Sequence, residues 1–367
     1  MIPVTERLKT DILVVGAGPA GSLAARYAAE KGVKVTMIEA RSNIGVPVRC
    51  GELVPSIEEI TDMFPNLTGA EELFDLPSDL AVRNVEGIRL IDPKDRVWEF
   101  PFTGYTTDRD RFDQYLADQA VKSGADLIKS CRFFEREGNI AKTSEGEIEF
   151  KTIIGADGPG SRVAQSLGLP ANQNPYPAVS AQAEGDYDPY IQMFFGGIAP
   201  GAYAWIMPKA GTANVGVGFS PKFSDGSLRG YFDKFVKAHD IKVLTPIHGK
   251  YVPSEGPVSK TYADVGMVVG DAAGVVMSVN GGGIPQAMIT GRMAGEVAAD
   301  NVLSNRSLAE YEQAWRNVLY KPLKIAAGNK KLADTFAFRS ERSTALCMKL
   351  LGKRRMGKLI RCKRLFP

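Results

Sequence analysis

Two short stretches hold residues whose types and spacing could do chemistry. Gly16-Ala17-Gly18-Pro19-Ala20-Gly21 spaces three glycines so that a chain can turn tightly, bring backbone N–H groups against a phosphate and pack a helix closely on a sheet. Glu39 follows at roughly 20 residues, the distance at which an acid meets ribose hydroxyls. The second stretch, Pro47-Val48-Arg49-Cys50-Gly51-Glu52, sets a thiol beside a glycine in a chain with four cysteines. That thiol has four readings: a core filler, half of a disulfide, a metal ligand, or a group placed against a cofactor. The cysteines at 50, 131, 347 and 362 form no CxxC pair, and His239 and His248 are the only histidines, so no metal centre is expected. A Cys347–Cys362 disulfide is not expected either, in a chain read as cytoplasmic and reduced.

The elements that must position these groups follow from hydrophobic pattern and punctuation. Residues 11–16 read as a buried strand, Ala20, Leu23, Ala24, Tyr27 and Ala28 share one helical face as far as Gly32, and residues 33–40 read as a second buried strand. That unit is one parallel crossover. Residues 41–75 read as loop with a short helix, 87–102 as a hairpin around a turn at 92–95, and 109–124 as a helix presenting Phe112, Tyr115, Leu116 and Ala120. A meander over 125–150, a short strand at 152–158, sheet over 175–220 and a buried strand at 265–274 come next. A helix then opens near Pro285, and 307–367 is mostly helical.

The bulk numbers agree with this plan. The 367 residues, 44% hydrophobic and 24% charged, fit two to three soluble domains. The net charge of +3 points to no particular partner, and nucleic acid is not expected. No run of 18 apolar residues occurs, so no spanning helix is expected, and the N-terminal residues lack the apolar core of a secretory signal. The fold class is α/β. A discontinuous Rossmann-type domain would comprise 1–75, 105–165 and 255–300. An antiparallel sheet domain would comprise 76–104 and 166–254, and 301–367 would be a basic helical region.

Two further motifs go beyond what a nicotinamide dehydrogenase needs: Gly155-Ala156-Asp157-Gly158 and Gly270-Asp271-Ala272-Ala273-Gly274. With the turn at 16–21, in this order, they resemble the FAD-containing reductase/hydroxylase group, whose fold is like that of para-hydroxybenzoate hydroxylase. Within that group, residues 47–52 resemble the PxxxCGE signature of the geranylgeranyl reductase family, with two residues instead of three between Pro47 and Cys50. Residues 200–216 resemble the family's second signature, PxxYxWxFPxxxxxxxVG. Pro200, Tyr203, Trp205 and Pro208 fit it, Val215 and Gly216 fit it with a spacer one residue shorter, and Met207 stands where phenylalanine is usual.

The resemblance implies FAD contacts at Gly16, Gly18, Ala20, Gly21 and Glu39, with Asp271 on the ribityl–pyrophosphate part and Arg109 on a phosphate. It implies a backbone contact from Phe133 to adenine. It places Gly283 and Ile284 close to the flavin ring, where the following helix start would favour the anionic reduced flavin. Cys50, Gly51 and Leu53 would line the flavin, with Cys50 on the catalytic side. Tyr203 and Trp205, two residues apart on a strand, would share one face and wall an apolar tunnel. The implied reaction is reduction of isoprenoid C=C bonds in a polyprenyl glycerophospholipid of archaeal type. Hydride would come from N5 of reduced flavin and a proton from Cys50, Tyr203, the flavin or solvent.

No second dinucleotide turn is visible, which fits an external donor such as ferredoxin, reduced deazaflavin or NAD(P)H. In 346–367, Leu346, Met348, Leu350, Leu351, Met356, Leu359 and Ile360 alternate with Lys and Arg. That pattern suits peripheral contact with an anionic membrane, at its inner face, or with a substrate phosphate. The rival readings are a flavin monooxygenase or halogenase, and an electron-transfer flavoprotein, whose iron–sulfur cluster four scattered cysteines cannot build.

Overall fold

Ile12–Val15 (β1), Pro19–Ala29 (α1) and Val35–Ile38 (β2) form the expected crossover in a computed structural model that describes residues 7–365. Most of the N-terminal stretch read for a signal segment lies outside those residues. Both strands are buried along their whole length, because helices cover one face and the remaining chain covers the other. α1 starts at Pro19, whose missing N–H would be unpaired at that position anyway.

The chain then forms an edge strand, Leu53–Pro55 (β3), and the hairpin Arg83–Ile91 (β4) and Val97–Thr106 (β5). The helix Arg109–Lys122 (α2) follows, then Asp126–Ile128 (β6), the small meander Phe133–Glu137 (β7), Ile140–Thr143 (β8) and Gly146–Glu149 (β9), and Thr152–Gly155 (β10). Tyr176–Glu184 (β11), Tyr190–Phe194 (β12), Ala204–Pro208 (β13), Thr212–Gly218 (β14) and His248–Val252 (β15) build most of the second large sheet. Gly266–Val268 (β16) returns to the first sheet before the long helix Ile284–Ser304 (α3). Lys321–Leu332 (α4) and Glu341–Ile360 (α5) close the chain.

The first sheet runs β16-β10-β1-β2-β6, all parallel, with Tyr262–Ala263 antiparallel on its edge. β6, expected in the meander, instead pairs with β2. The strand expected over 265–274 is shorter, because Gly270–Ala273 curl into a 3₁₀ turn. The second sheet has nine strands and contains the order β11-β14-β13-β12-β4-β5-β3. It is antiparallel except where β12 runs parallel to β4, Gly87 opposite Tyr190. α1 and α3 cross closely, because a Cβ at Gly291 or Gly295 would overlap the carbonyl oxygens of Ala20 and Ala24.

The apolar residues of 346–360 do not share a face. Met348, Met356 and Ile360 are buried in the cluster that contains Trp205 and Met207, whereas Leu346 and Leu350 are 56% and 68% exposed. Gly352, at φ 65° and ψ 172°, breaks α5 between Leu350 and Met356 and resets the helical phase. The cysteines are all free, including Cys347 and Cys362.

Candidate active site

A cavity of about 1090 Å³ runs between the two large sheets. Its parallel-sheet side is lined by Gly16, Gly18, Ala20, Glu39, Phe133, Asp271, Gly283 and Ile284; the other side by Leu53, Tyr203, Trp205 and Met207. Cys50, Gly51 and Arg109 lie on the same wall system. Gly21 is not part of that lining. A Cβ there would overlap the Gly16 carbonyl oxygen and come within 3.1 Å of the Ala156 Cβ, so Gly21 serves the packing of α1 behind the turn.

The turn suits a diphosphate. At Gly18 a Cβ would meet nothing within 4 Å, so space opens in front of its backbone. Gly18 caps α1 without any side-chain hydrogen bond, which leaves first-turn N–H groups facing the cavity. Glu39 holds the turn from below: the Ala17 N–H donates to Oε2 at 2.9 Å and the Arg41 N–H to Oε1 at 3.0 Å. Asp271 pairs with Lys250 Nζ at 2.5 Å beside Gly283. The Ser278 hydroxyl lines the cavity, is buried and has no hydrogen-bond partner among the described residues. Asp157 of the second motif instead caps a short helix, accepting from the Arg162 and Val163 N–H groups at 2.7 and 3.2 Å. Its burial raises its pKa.

Around the thiol the polar groups are tightly paired. The Glu52 N–H donates to Cys50 Sγ at 3.3 Å. Arg109, expected on a phosphate, donates twice to Asp113, at 2.8 and 2.8 Å, and also lies against the Cys50 sulfur. Burial works against its charge, but Asp113 and Cys50 hold it firmly protonated. Tyr203 donates its hydroxyl proton to the Asn280 carbonyl. Burial, with the Cys50 sulfur near it, pushes the Tyr203 phenol up from its ordinary range. Its ring stands 5.9 Å from that of Trp205, edge to face. A Cβ at Gly216 would overlap the Trp205 indole, and one at Gly51 would lie 3.3 Å from Met207 Cε. These contacts give the two sequence signatures a common physical basis: the first loop and the Trp205 strand interlock.

The matched families split the chain as the geometry does. Residues 14–61 match an NAD(P)-binding Rossmann-like domain and residues 176–249 a geranylgeranyl reductase catalytic domain. The digeranylgeranylglycerophospholipid reductase of Methanocaldococcus jannaschii is 38% identical, over 88% of this chain and 86% of its own. The chain belongs to the geranylgeranyl reductase family. A second such relative, from Methanosarcina acetivorans, is 35% identical over 83% of this chain and 80% of its own. The crystal structure of a geranylgeranyl bacteriochlorophyll reductase-like protein from Thermoplasma acidophilum superposes with a TM-score of 0.79 at 28% identity, covering 92% of this chain and 90% of that one. The halogenase PltM, solved with FAD, shares the fold at 14% identity and a TM-score of 0.69. This geranylgeranyl reductase family member is an FAD-dependent oxidoreductase, and its open Gly18 turn and unpartnered Ser278 hydroxyl fit that cofactor.

Sequence reasoning passed over Glu52, although it is the last letter of the PxxxCGE signature. It is fully buried, and its carboxylate meets Lys209, Asn214, Gln182 and the Arg109 N–H. Breaking one side of such a buried pair costs about 3–5 kcal/mol. Asn280 was missed too. Its side chain donates to the Ile360 carbonyl at 3.0 Å and accepts from the Gly282 N–H at 2.9 Å, tying the glycine turn to the end of α5. No pattern in the sequence marks Asn280.

Proposed function

We propose that the protein reduces isoprenoid C=C bonds in geranylgeranyl chains of archaeal-type glycerophospholipids. The observation that carries this reading is that Tyr203, Trp205, Met207 and Cys50 line one continuous cavity with the glycine-rich turn. When bound and reduced, FAD supplies a hydride equivalent there. The chain's own residues do the rest. The greasy wall binds a hydrocarbon tail at about 0.8 kcal/mol per buried CH₂ and keeps water away. Cys50 holds the proton for the second carbon of the double bond. As it leaves, the charge growing on sulfur meets the Arg109 guanidinium and the Glu52 N–H. Tyr203 acts as an anchor, because its hydroxyl hydrogen bond is already made to the Asn280 carbonyl. Reducing equivalents come from an external carrier: ferredoxin, a reduced deazaflavin or NAD(P)H.

The test is anaerobic. Dithionite-reduced holoenzyme, mixed with a digeranylgeranyl glycerophospholipid, is expected to yield products that gain two hydrogens per double bond by mass spectrometry. Oxygen insertion under air, with no anaerobic product, would sink the reading.

Membrane contact belongs to the same proposal. Leu332, Phe336, Leu346 and Leu350 are 46%, 63%, 56% and 68% exposed, and Lys331, Arg339, Arg342, Lys349 and Lys353 are exposed among them. The same C-terminal segment gives Lys330, Phe338 and Ile360 to the cavity lining. This face fits an anionic bilayer from which a lipid tail could pass inward. Among the described residues no helix is long and apolar enough to cross a membrane. Wild-type protein is expected to sediment with phosphatidylglycerol vesicles. A Leu346→Glu/Leu350→Glu double variant should lose about tenfold in partitioning. Equal sedimentation of the two proteins would remove this face from the proposal.

A further inference from the structure

Glu52 occupies a position that a merely space-filling residue would not need. Its backbone is held at φ 64°, a left-handed conformation disfavoured for a side chain of this kind. Its carboxylate is fully buried and gathers donors from separate parts of the chain. Gln182 Nε2, Asn214 Nδ2 and Lys209 Nζ donate to Oε2 at 2.7, 2.9 and 3.1 Å, and the Arg109 N–H donates to Oε1 at 3.1 Å. Lys209 also pairs with Asp108.

Two arms of this network end at the reacting groups. On one side Glu52 gives its own N–H to Cys50 Sγ at 3.3 Å and fixes the first residue of α2, Arg109, whose guanidinium lies against the same sulfur. On the other side Asn214 turns its Oδ1 to the Trp205 indole N–H at 2.9 Å. One carboxylate therefore fixes both the thiol and the tunnel wall.

A hydrocarbon chain offers a tunnel no directional contacts, so hydrophobic burial alone lets it slide. Choice among repeated double bonds must come from rigid geometry between the wall and the proton source. We propose that Glu52 is a positioning residue that locks the Cys50 sulfur in register with the Trp205 indole, and so sets which double bond of a bound chain is reduced. The substrate class rests on the function proposed above; the coupling itself does not.

Glu52→Gln tests this at nearly constant volume. An amide has one acceptor oxygen and an NH₂, so either orientation sets a donor against a donor in this network. Alkylation of Cys50 by N-ethylmaleimide is followed in FAD-loaded, lipid-free protein carrying Cys347→Ser, since Cys131 and Cys362 are 1% and 2% exposed. Glu52→Gln is expected to change that rate about tenfold, to lower kcat about 10–100-fold with KM little moved, and to scatter the positions reduced in partial products. Asn214→Ala, which cuts the Trp205 arm and removes one donor to Glu52 Oε2 but leaves the Glu52 contacts to Cys50 and Arg109, is expected to scatter the products while leaving the alkylation rate near wild type. A Glu52→Gln protein that binds FAD yet keeps both the wild-type alkylation rate and the wild-type product pattern overturns the proposal. An Asn214→Ala protein with the wild-type pattern also overturns it, and decides the matter where Glu52→Gln does not fold. If no lipid is reduced by any form, the proposed function fails, while the alkylation comparison still stands by itself.

Discussion

A Gly18→Val substitution is expected to leave the fold standing and strip it of FAD. Gly18 sits at φ −77°, ordinary for any residue, and a Cβ there meets no protein atom within 4 Å. Valine at a helix N-cap costs about 1 kcal/mol, a few degrees in Tm. Its methyl groups would instead fill the space in front of the first-turn N–H groups. Overpacking of about 2–3 kcal/mol against a bound diphosphate corresponds to about 10²-fold in Kd. Gly21→Val should behave differently, because its Cβ collides with the Gly16 carbonyl oxygen. Gly16 has little freedom to yield, since its own position closes against Ala156 at φ 105°. That variant is expected to lose both Tm and cofactor. Visible flavin absorption after gel filtration, together with apo-protein melting curves, separates the two. Wild-type flavin content in Gly18→Val would mean that this turn does not hold the phosphates.

The contrast between Gly18 and Gly21 was legible because it is local: strand, turn and helix are consecutive, and each glycine acts on neighbours within the unit. The same holds for the pairing of Tyr203 with Trp205, which follows from strand alternation alone. What was not legible depends on distant segments. The parallel pairing of β4 with β12 joins residues about a hundred positions apart, and nothing in either strand records its direction. Glu52 could be seen as a signature letter, but its partners come from residues 109, 182, 209 and 214, and only the folded chain brings them together. Which apolar residues of the C-terminal helix turn inward was not legible, for a specific reason. A continuous helical wheel over 346–360 mixes two faces, because Gly352 interrupts the phase. Apolar residues beyond it turn inward to Trp205 and Met207, and those before it divide between core and solvent.

Cys50→Ala is expected to keep FAD and lipid bound while alkene reduction falls about 10²–10⁴-fold, the range for removing a positioned proton donor. The substitution removes one sulfur from a half-buried loop whose backbone is held elsewhere, by the Glu52 carbonyl accepting from the Thr107 N–H at 2.9 Å. Neither glycine turn depends on it, so the flavin content should match wild type. Arg109 would keep Asp113 and lose its second partner. Cys50→Ser should stay close to alanine, since an alcohol is a far weaker acid than a thiol. Tyr203→Phe gives the comparison that decides between the two candidate donors. The Tyr203 hydroxyl already donates its hydrogen bond to the Asn280 carbonyl, and burial, with the Cys50 sulfur near it, raises the phenol above its ordinary range, which makes it a poor acid at working pH. Its loss should loosen the Asn280–Gly283 turn and shift flavin affinity, with a reduction rate within about tenfold of wild type. Single-turnover reduction of a bound lipid by prereduced protein, with FAD and lipid content measured on the same sample, reads all three variants. A Cys50→Ala rate equal to wild type, with Tyr203→Phe inactive and still loaded with FAD, would reverse the assignment and place the proton on Tyr203.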